Sequence, residues 1–125
     1  MYREVVKKKE PPPVLDKKIL IYFKQNSNEL PDQAYSMLNR IADFMLHSDT
    51  AKLAIRGYTD STGDYSYNIS VSRFRANTIK TYLVGKGVNP ANIKADGLGP
   101  ENPIAANDTD EGRRKNRRVE IEISD

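Results

Sequence analysis

Apolar residues recur along the chain with two different periods, and the places where one gives way to the other mark out its elements. KILIYF, residues 18–23, is a short run with the length and the Ile, Tyr and Phe content of a buried strand. Beyond Pro31, which is well placed for a first helical turn with Asp32 beside it, Ala34, Leu38, Ile41, Ala42 and Met45 recur at i, i+4, i+7, i+8 and i+11. That spacing is one apolar stripe along a helix. Alternation returns in KLAIRGY, residues 52–58, with Leu53 and Ile55 on one side. A second helix is predicted over about residues 68–86, stopping at Gly87, and a short strand over IKADG at 93–97. GLGPENP is a loop by its Gly and Pro content, and VEIEI at 119–123 has the strict period of two of a strand. The order strand, helix, strand, helix, strand, strand predicts an α+β sandwich, a small mixed sheet with helices packed on it. No internal repeat is present. Residues 1–17 read differently, as a charged linker in which Pro11, Pro12 and Pro13 favour an extended stem, so the domain is assigned to residues 18–125.

The second helix carries a charge where an apolar side chain belongs. With Val71 at zero and about 100° of rotation per residue, Phe74 falls at about −60°, Tyr82 at about 20°, Ile79 at about 80° and Leu83 at about 120°. Arg75 falls at about 40°, inside that apolar arc, whereas Arg73 and Lys80 lie on the opposite side. A guanidinium near a core keeps its proton and needs an anion or the mouth of a cleft. Asp60, in the loop at the carboxyl end of the second strand, is the nearest candidate, and such loops are where ligands commonly enter α/β sheets. Two readings are open. Asp60 and Arg75 pair with each other to hold the fold, or they form a clamp in which Arg75 takes a ligand carboxylate and Asp60 a ligand ammonium.

Length and composition narrow the classes of function. The chain of 125 residues is enough for one domain with its own core. Its formal charge of +3 suits an anionic partner without requiring nucleic acid. With no cysteine, disulfides and thiolate metal sites are excluded. No apolar run approaches the roughly 18 residues of a membrane span, and MYREVVKKKEPPP lacks the apolar middle of a signal peptide, so an export signal or a membrane anchor is expected only upstream of these residues.

Four motifs along the chain resemble those of other chemistries. GRRKNRR, residues 112–118, has five basic residues among the six after its Gly, but no aromatic residue is interleaved to stack bases, and it leads into VEIEI; a solvated or pocket-rim role is expected and nucleic acid is not. DSTGDYSYNISV alternates oxygen ligands at Asp60, Thr62 and Asp64, yet Tyr65 and Val71 stand where a calcium loop needs Gly and Glu. His47, the only histidine, falls at the end of the first helix, where it suits the helix terminus. Asp60 and Asp64 are two carboxylates close in sequence, but a glycosidase sets its pair across a long cleft, for which the chain is small. No nucleophile with a partnered base is visible, so no catalytic residue, metal or cofactor is assigned.

GYTDSTGDYSYNISVSRFRAN, followed by GLGPENPIAANDTDEGRRKNRRVEI, resembles the OmpA-like carboxyl-terminal domain family found in porins, lipoproteins and flagellar stators. The resemblance covers about residues 18–123 and rests on GxTDxxG…N…SxxRA and GRxKNRRVE. It implies a βαβαββ domain, periplasmic and associated with the outer membrane, that binds peptidoglycan noncovalently through the meso-diaminopimelate of the stem peptide. In the family the Asp of TD and the Arg of SxxRA hold that residue's amino and carboxylate groups, which carries the roles to Asp60 and Arg75. It further implies ligand contacts from Asn26 after the first strand, from Asn68 preceding and capping the second helix, and from Arg117 at the pocket rim. Tyr58 replaces a frequent family His, and Lys24 a frequent acidic residue, which bears on the pocket rim rather than on the Asp and Arg pair.

Overall fold

The structure, a computed structural model, describes residues 17–24 and 27–125. Asn26 and the linker other than Lys17 lie outside the described residues. The elements are β1 (Lys18–Tyr22), α1 (Asp32–His47), β2 (Lys52–Tyr58), α2 (Tyr65–Gly85), β3 (Ile93–Gly99), α3 (Asp110–Asn116) and β4 (Arg118–Ser124), with a 3-10 turn at Pro90–Asn92 before β3. The sheet runs in the order β1-β4-β2-β3. β4 pairs antiparallel with both β1 and β2, while β2 and β3 are parallel, so the sheet is mixed as expected.

Alternation along each strand decides which face meets the helices. Ile19 and Ile21 of β1, Leu53 and Ile55 of β2, and Val119, Ile121 and Ile123 of β4 join one buried cluster. All five residues of the α1 stripe, Ala34, Leu38, Ile41, Ala42 and Met45, are buried against it. The other face of the sheet carries charge. There Arg56 reaches Glu122 at 3.0 Å and Lys18 reaches Glu120 at 3.3 Å. Arg118, 1% exposed, is bonded to Glu120 at 2.8 Å and lies 3.9 Å from the centre of the Tyr58 ring.

Helix α2 departs from its expected boundaries and its expected face. It begins at Tyr65, with Asp64 as the cap whose carboxylate accepts from the Tyr67 amide at 3.0 Å. Asn68 therefore lies within the helix rather than before it, and does not cap it. The buried residues Asn68, Ser72, Arg75, Ala76, Ile79 and Leu83 occupy an arc of about 40° to 140° on the same wheel. Val71 is only half-buried, and Phe74 is 55% exposed. The cause is close approach to the sheet. A Cβ on Gly57 would overlap the carbonyl oxygen of Ser72, and one on Gly97 would overlap the backbone nitrogen of Arg73. Small residues rather than apolar ones line the contact, so hydrophobicity alone misplaced the buried face.

A third helix was not anticipated. Thr109 Oγ1 accepts from the Gly112 amide at 3.0 Å, Asp110 and Glu111 occupy the first turn, and Arg113, Arg114 and Lys115 the last. That charge order suits the helix dipole. The basic run is the end of this helix, and only Arg117 and Arg118 lead into the strand. β3 also continues two residues past its expected end, to Gly99.

The contact between α2 and the sheet yields a stability prediction. Gly57→Ala should destabilise the domain by about 2–4 kcal/mol, because the atom it meets is backbone and cannot swing aside. Gly85→Ala, where an added Cβ meets nothing, should change stability far less. Urea unfolding of the two variants beside wild type checks this.

A candidate ligand pocket at the carboxyl end of β2

The strand β2 ends at Tyr58, and the chain is held there by the Thr59 amide donating to Gly99 O at 2.8 Å. The loop of residues 59–64 then turns back to α2, and its first carboxylate is fixed twice. Asp60 Oδ1 accepts from the Thr62 amide at 2.8 Å, and Oδ2 accepts from Arg117 Nη1 at 2.7 Å. Asp60 is 5% exposed. Burial is the largest single influence on its carboxyl and raises its pKa, but the Thr62 amide and hydroxyl and the Arg117 guanidinium together outweigh burial and hold the pKa below the ordinary 3.8. A carboxylate offers about four acceptor positions, so two remain for a ligand.

Arg75 is buried, at 2% exposure, as its place on the helix foretold. Its partners are not those expected. Nε donates to Ser27 O at 3.1 Å, and Nη2 donates to Ser27 O at 2.7 Å and Lys24 O at 3.1 Å. The guanidinium carbon lies 5.0 Å from the centre of the Phe23 ring. Among the described residues Arg75 forms no ion pair and Nη1 has no partner. Burial first, then the neighbouring Arg117 charge, push its pKa down to about 10 against the opposing pull of Asp60 and Tyr67, so it remains a cation at neutral pH. Of the two readings, the direct pair between Asp60 and Arg75 is not formed, and Asp60 pairs with Arg117 instead. The reason is topological: α2 turns Arg75 toward the carbonyls that follow β1, while Arg117 emerges from the end of α3 beside Asp60.

Four of the five anticipated residues meet around one cavity of about 280 Å³, namely Asp60, Asn68, Arg75 and Arg117. Asn26 lies outside the described residues. Asn68 is 7% exposed and its Nδ2 donates to Thr62 O at 2.9 Å, so the side-chain oxygen is the end without a partner among the described residues. Thr62 and Tyr67 also line the cavity and were not assigned to a ligand pocket from the sequence; a loop threonine and a first-turn tyrosine carry no local signal of that role. Arg117 also borders a larger groove of about 880 Å³ between α3 and the segment after β1. Charge and shape converge in the smaller cavity, which offers a buried cation without an ion pair beside a carboxylate with spare acceptor positions.

Residues 22–117 match the OmpA family. The chain belongs to the OmpA family. It is 45% identical over 104 residues to the peptidoglycan-binding protein ArfA of Mycobacterium tuberculosis, covering 83% of this chain and 32% of ArfA. It is 39% identical over 119 residues to outer membrane protein A of Bordetella avium, covering 93% of this chain and 61% of that protein. The chain thus spans between about a third and three-fifths of the length of these relatives. The crystal structure of the peptidoglycan-associated lipoprotein from Burkholderia pseudomallei superposes with a TM-score of 0.81 at 28% identity, covering 84% of this chain and 89% of that one.

Two outcomes are expected of this OmpA-family pocket. In a double-mutant cycle on unfolding, Asp60→Ala or Arg117→Ala should each cost about 3 kcal/mol, and the double variant less than the sum, because either single change leaves a buried charge unpaired. A parallel cycle on Asp60 and Arg75 should show weaker coupling. The second outcome concerns pH. Because the folded-state pKa of Asp60 is depressed, its contribution is complete above the ordinary 3.8 and is lost as pH falls through the lower folded value. The stability gap between wild type and Asp60→Asn should be level above about pH 5 and should close below about pH 4, read by urea unfolding across that range.

Proposed function

We propose that this chain is a noncovalent peptidoglycan-binding module, with no chemistry of its own, whose pocket takes the free end of a meso-diaminopimelate residue in the stem peptide. The observation that carries the reading is Arg75. It is a buried cation bonded only to neutral carbonyls among the described residues, and it lines a cavity beside Asp60. A ligand bearing both a carboxylate and an ammonium on one carbon matches that arrangement. Its carboxylate would accept from Nη1 of Arg75, and its ammonium would donate to Asp60 and to the free oxygen of Asn68. Membership of the OmpA family supports the same polymer, as does similarity to a peptidoglycan-binding protein and to a peptidoglycan-associated lipoprotein. In this role the domain anchors an outer-membrane or envelope protein to the cell wall from the periplasmic side.

A second reading has its own observation. Three of the Arg75 hydrogen bonds go to the backbone around the end of β1, so the arginine also organises the fold, and a domain that kept only this role would retain every contact described.

Calorimetric titration with two soluble stem peptides separates the readings, one carrying meso-diaminopimelate and the other lysine, which lacks the side-chain carboxylate. Wild type should prefer the first by about 10- to 100-fold, the worth of one charge-assisted hydrogen bond to a desolvated group. Arg75→Lys should lose most of that preference while circular dichroism shows it folded. Binding of neither peptide by wild type would leave only the structural reading, and equal affinity for the two would overturn recognition of the diaminopimelate carboxylate.

A further inference from the structure

The exposed side of α2 has a composition that the fold does not explain. Between about −140° and 20° on the helical wheel there is no charged residue, in a chain that is 30% charged. Along that side Tyr67, Val71, Phe74 and Thr78 follow one another at i, i+4, i+7 and i+11, flanked by Ser70 and Asn77. Tyr67 is 64% exposed and Phe74 55% exposed. Among the described residues neither ring has an aromatic or cationic partner. Solvent-facing helix sides are ordinarily charged, so two large rings with hydroxyl and amide neighbours make an uncharged platform.

This platform is continuous with the pocket, because Tyr67 and Val71 line the cavity and Phe74 extends the row one turn further along α2. The cavity of about 280 Å³ has room for the end of one amino-acid side chain, so the rest of a polymeric ligand must lie on neighbouring surface. Resting on the proposed function, we infer that the uncharged face of α2 receives the sugar of the same peptidoglycan strand. The pyranose C–H face would lie on the Phe74 ring, with Tyr67 at the pocket end of the row beneath the connecting peptide, and sugar hydroxyl or acetamido groups would bond to Ser70 and Asn77. Chemistry and reach agree. The hexosamines of the glycan are neutral, with one apolar face and many hydroxyls, which an aromatic and hydroxyl surface matches and a charged surface does not. In peptidoglycan an alanine and a γ-linked glutamate separate the diamino acid from the sugar, a connector of about 10 Å at 3.3–3.6 Å per residue with its additional methylenes. The seven helical rises from Tyr67 to Phe74 cover about the same distance.

The test compares three ligands by calorimetry: free meso-diaminopimelic acid, the sugar-free tripeptide, and the same tripeptide on its disaccharide. Wild type should bind the disaccharide form roughly three- to tenfold more tightly than the sugar-free tripeptide. Phe74→Ala, at an exposed position outside the cavity, should abolish that increment and leave the affinity for the sugar-free tripeptide unchanged. Asn77→Ala should remove part of it. No increment from the disaccharide, or an increment that survives Phe74→Ala, overturns the inference while leaving the pocket reading intact. A gain that appears between free diaminopimelic acid and the tripeptide, and is lost in Phe74→Ala, would assign the face to peptide and likewise overturn it. Failure of wild type to bind any of the three would remove the proposed function and this inference together.

Discussion

The rest of the structure depends on how closely α2 lies over β2 and β3. Gly57 and Gly97 have no side chain in the way, and Ser72 and Arg73 of the helix occupy the space that a Cβ would take. Ser72 then does what an apolar residue cannot: its Oγ accepts from the Gly99 amide at 2.9 Å, satisfying a backbone donor where β3 ends. With the centre of the helix fixed against the strands, residues a turn to either side of Ser72 are placed over the carboxyl end of β2. Those residues are Asn68 and Arg75. The geometry of the pocket is thus set largely by two glycines that do not line it.

Within the pocket the three charged residues are not equivalent. Asp60 and Arg117 form one buried pair, which the Thr62 amide completes on the carboxylate side. Arg75 is held in place by backbone carbonyls and keeps its full charge. Carbonyl dipoles orient a guanidinium without neutralising it, so the arginine is rigid and still able to take an anion. Had Asp60 paired with Arg75 instead, a ligand would first have to break that pair.

How much of this was legible in the sequence varied with the distance over which each feature is determined. The α1 stripe was fully readable, because that helix packs on the sheet with side chains of ordinary size and apolar residues mark its buried face. On α2 the same reasoning placed Val71 and Phe74 in the buried arc, since nothing within the helix reveals that Gly57 and Gly97 will draw the backbone at Ser72 and Arg73 inward. Arg75 was located correctly by its wheel position, and Asp60 by its loop. Their separation into different partnerships was not readable, because Arg117 is 57 residues from Asp60 and reaches it only through the tertiary fold. Helix α3 left a signal in Thr109, Asp110 and Glu111 ahead of its basic end, a capped start that the density of arginines obscured.

The carbonyls that hold Arg75 belong to Lys24 and Ser27, just beyond the carboxyl end of β1, while Lys17 lies at the strand's other end. A ligand gripped by Arg75 would pull on α2 and the strands it packs on, β2 and β3, while a pull on Lys17 would draw β1 the other way, so the load would pass between β1 and β4 along the strand axis. The five register pairs that join β1 to β4, together with the Lys17 and Phe23 backbone hydrogen bonds that flank them, lie across that axis. They would be strained together in shear rather than peeled apart in turn, so the strand shares a mechanical load among all of its hydrogen bonds at once.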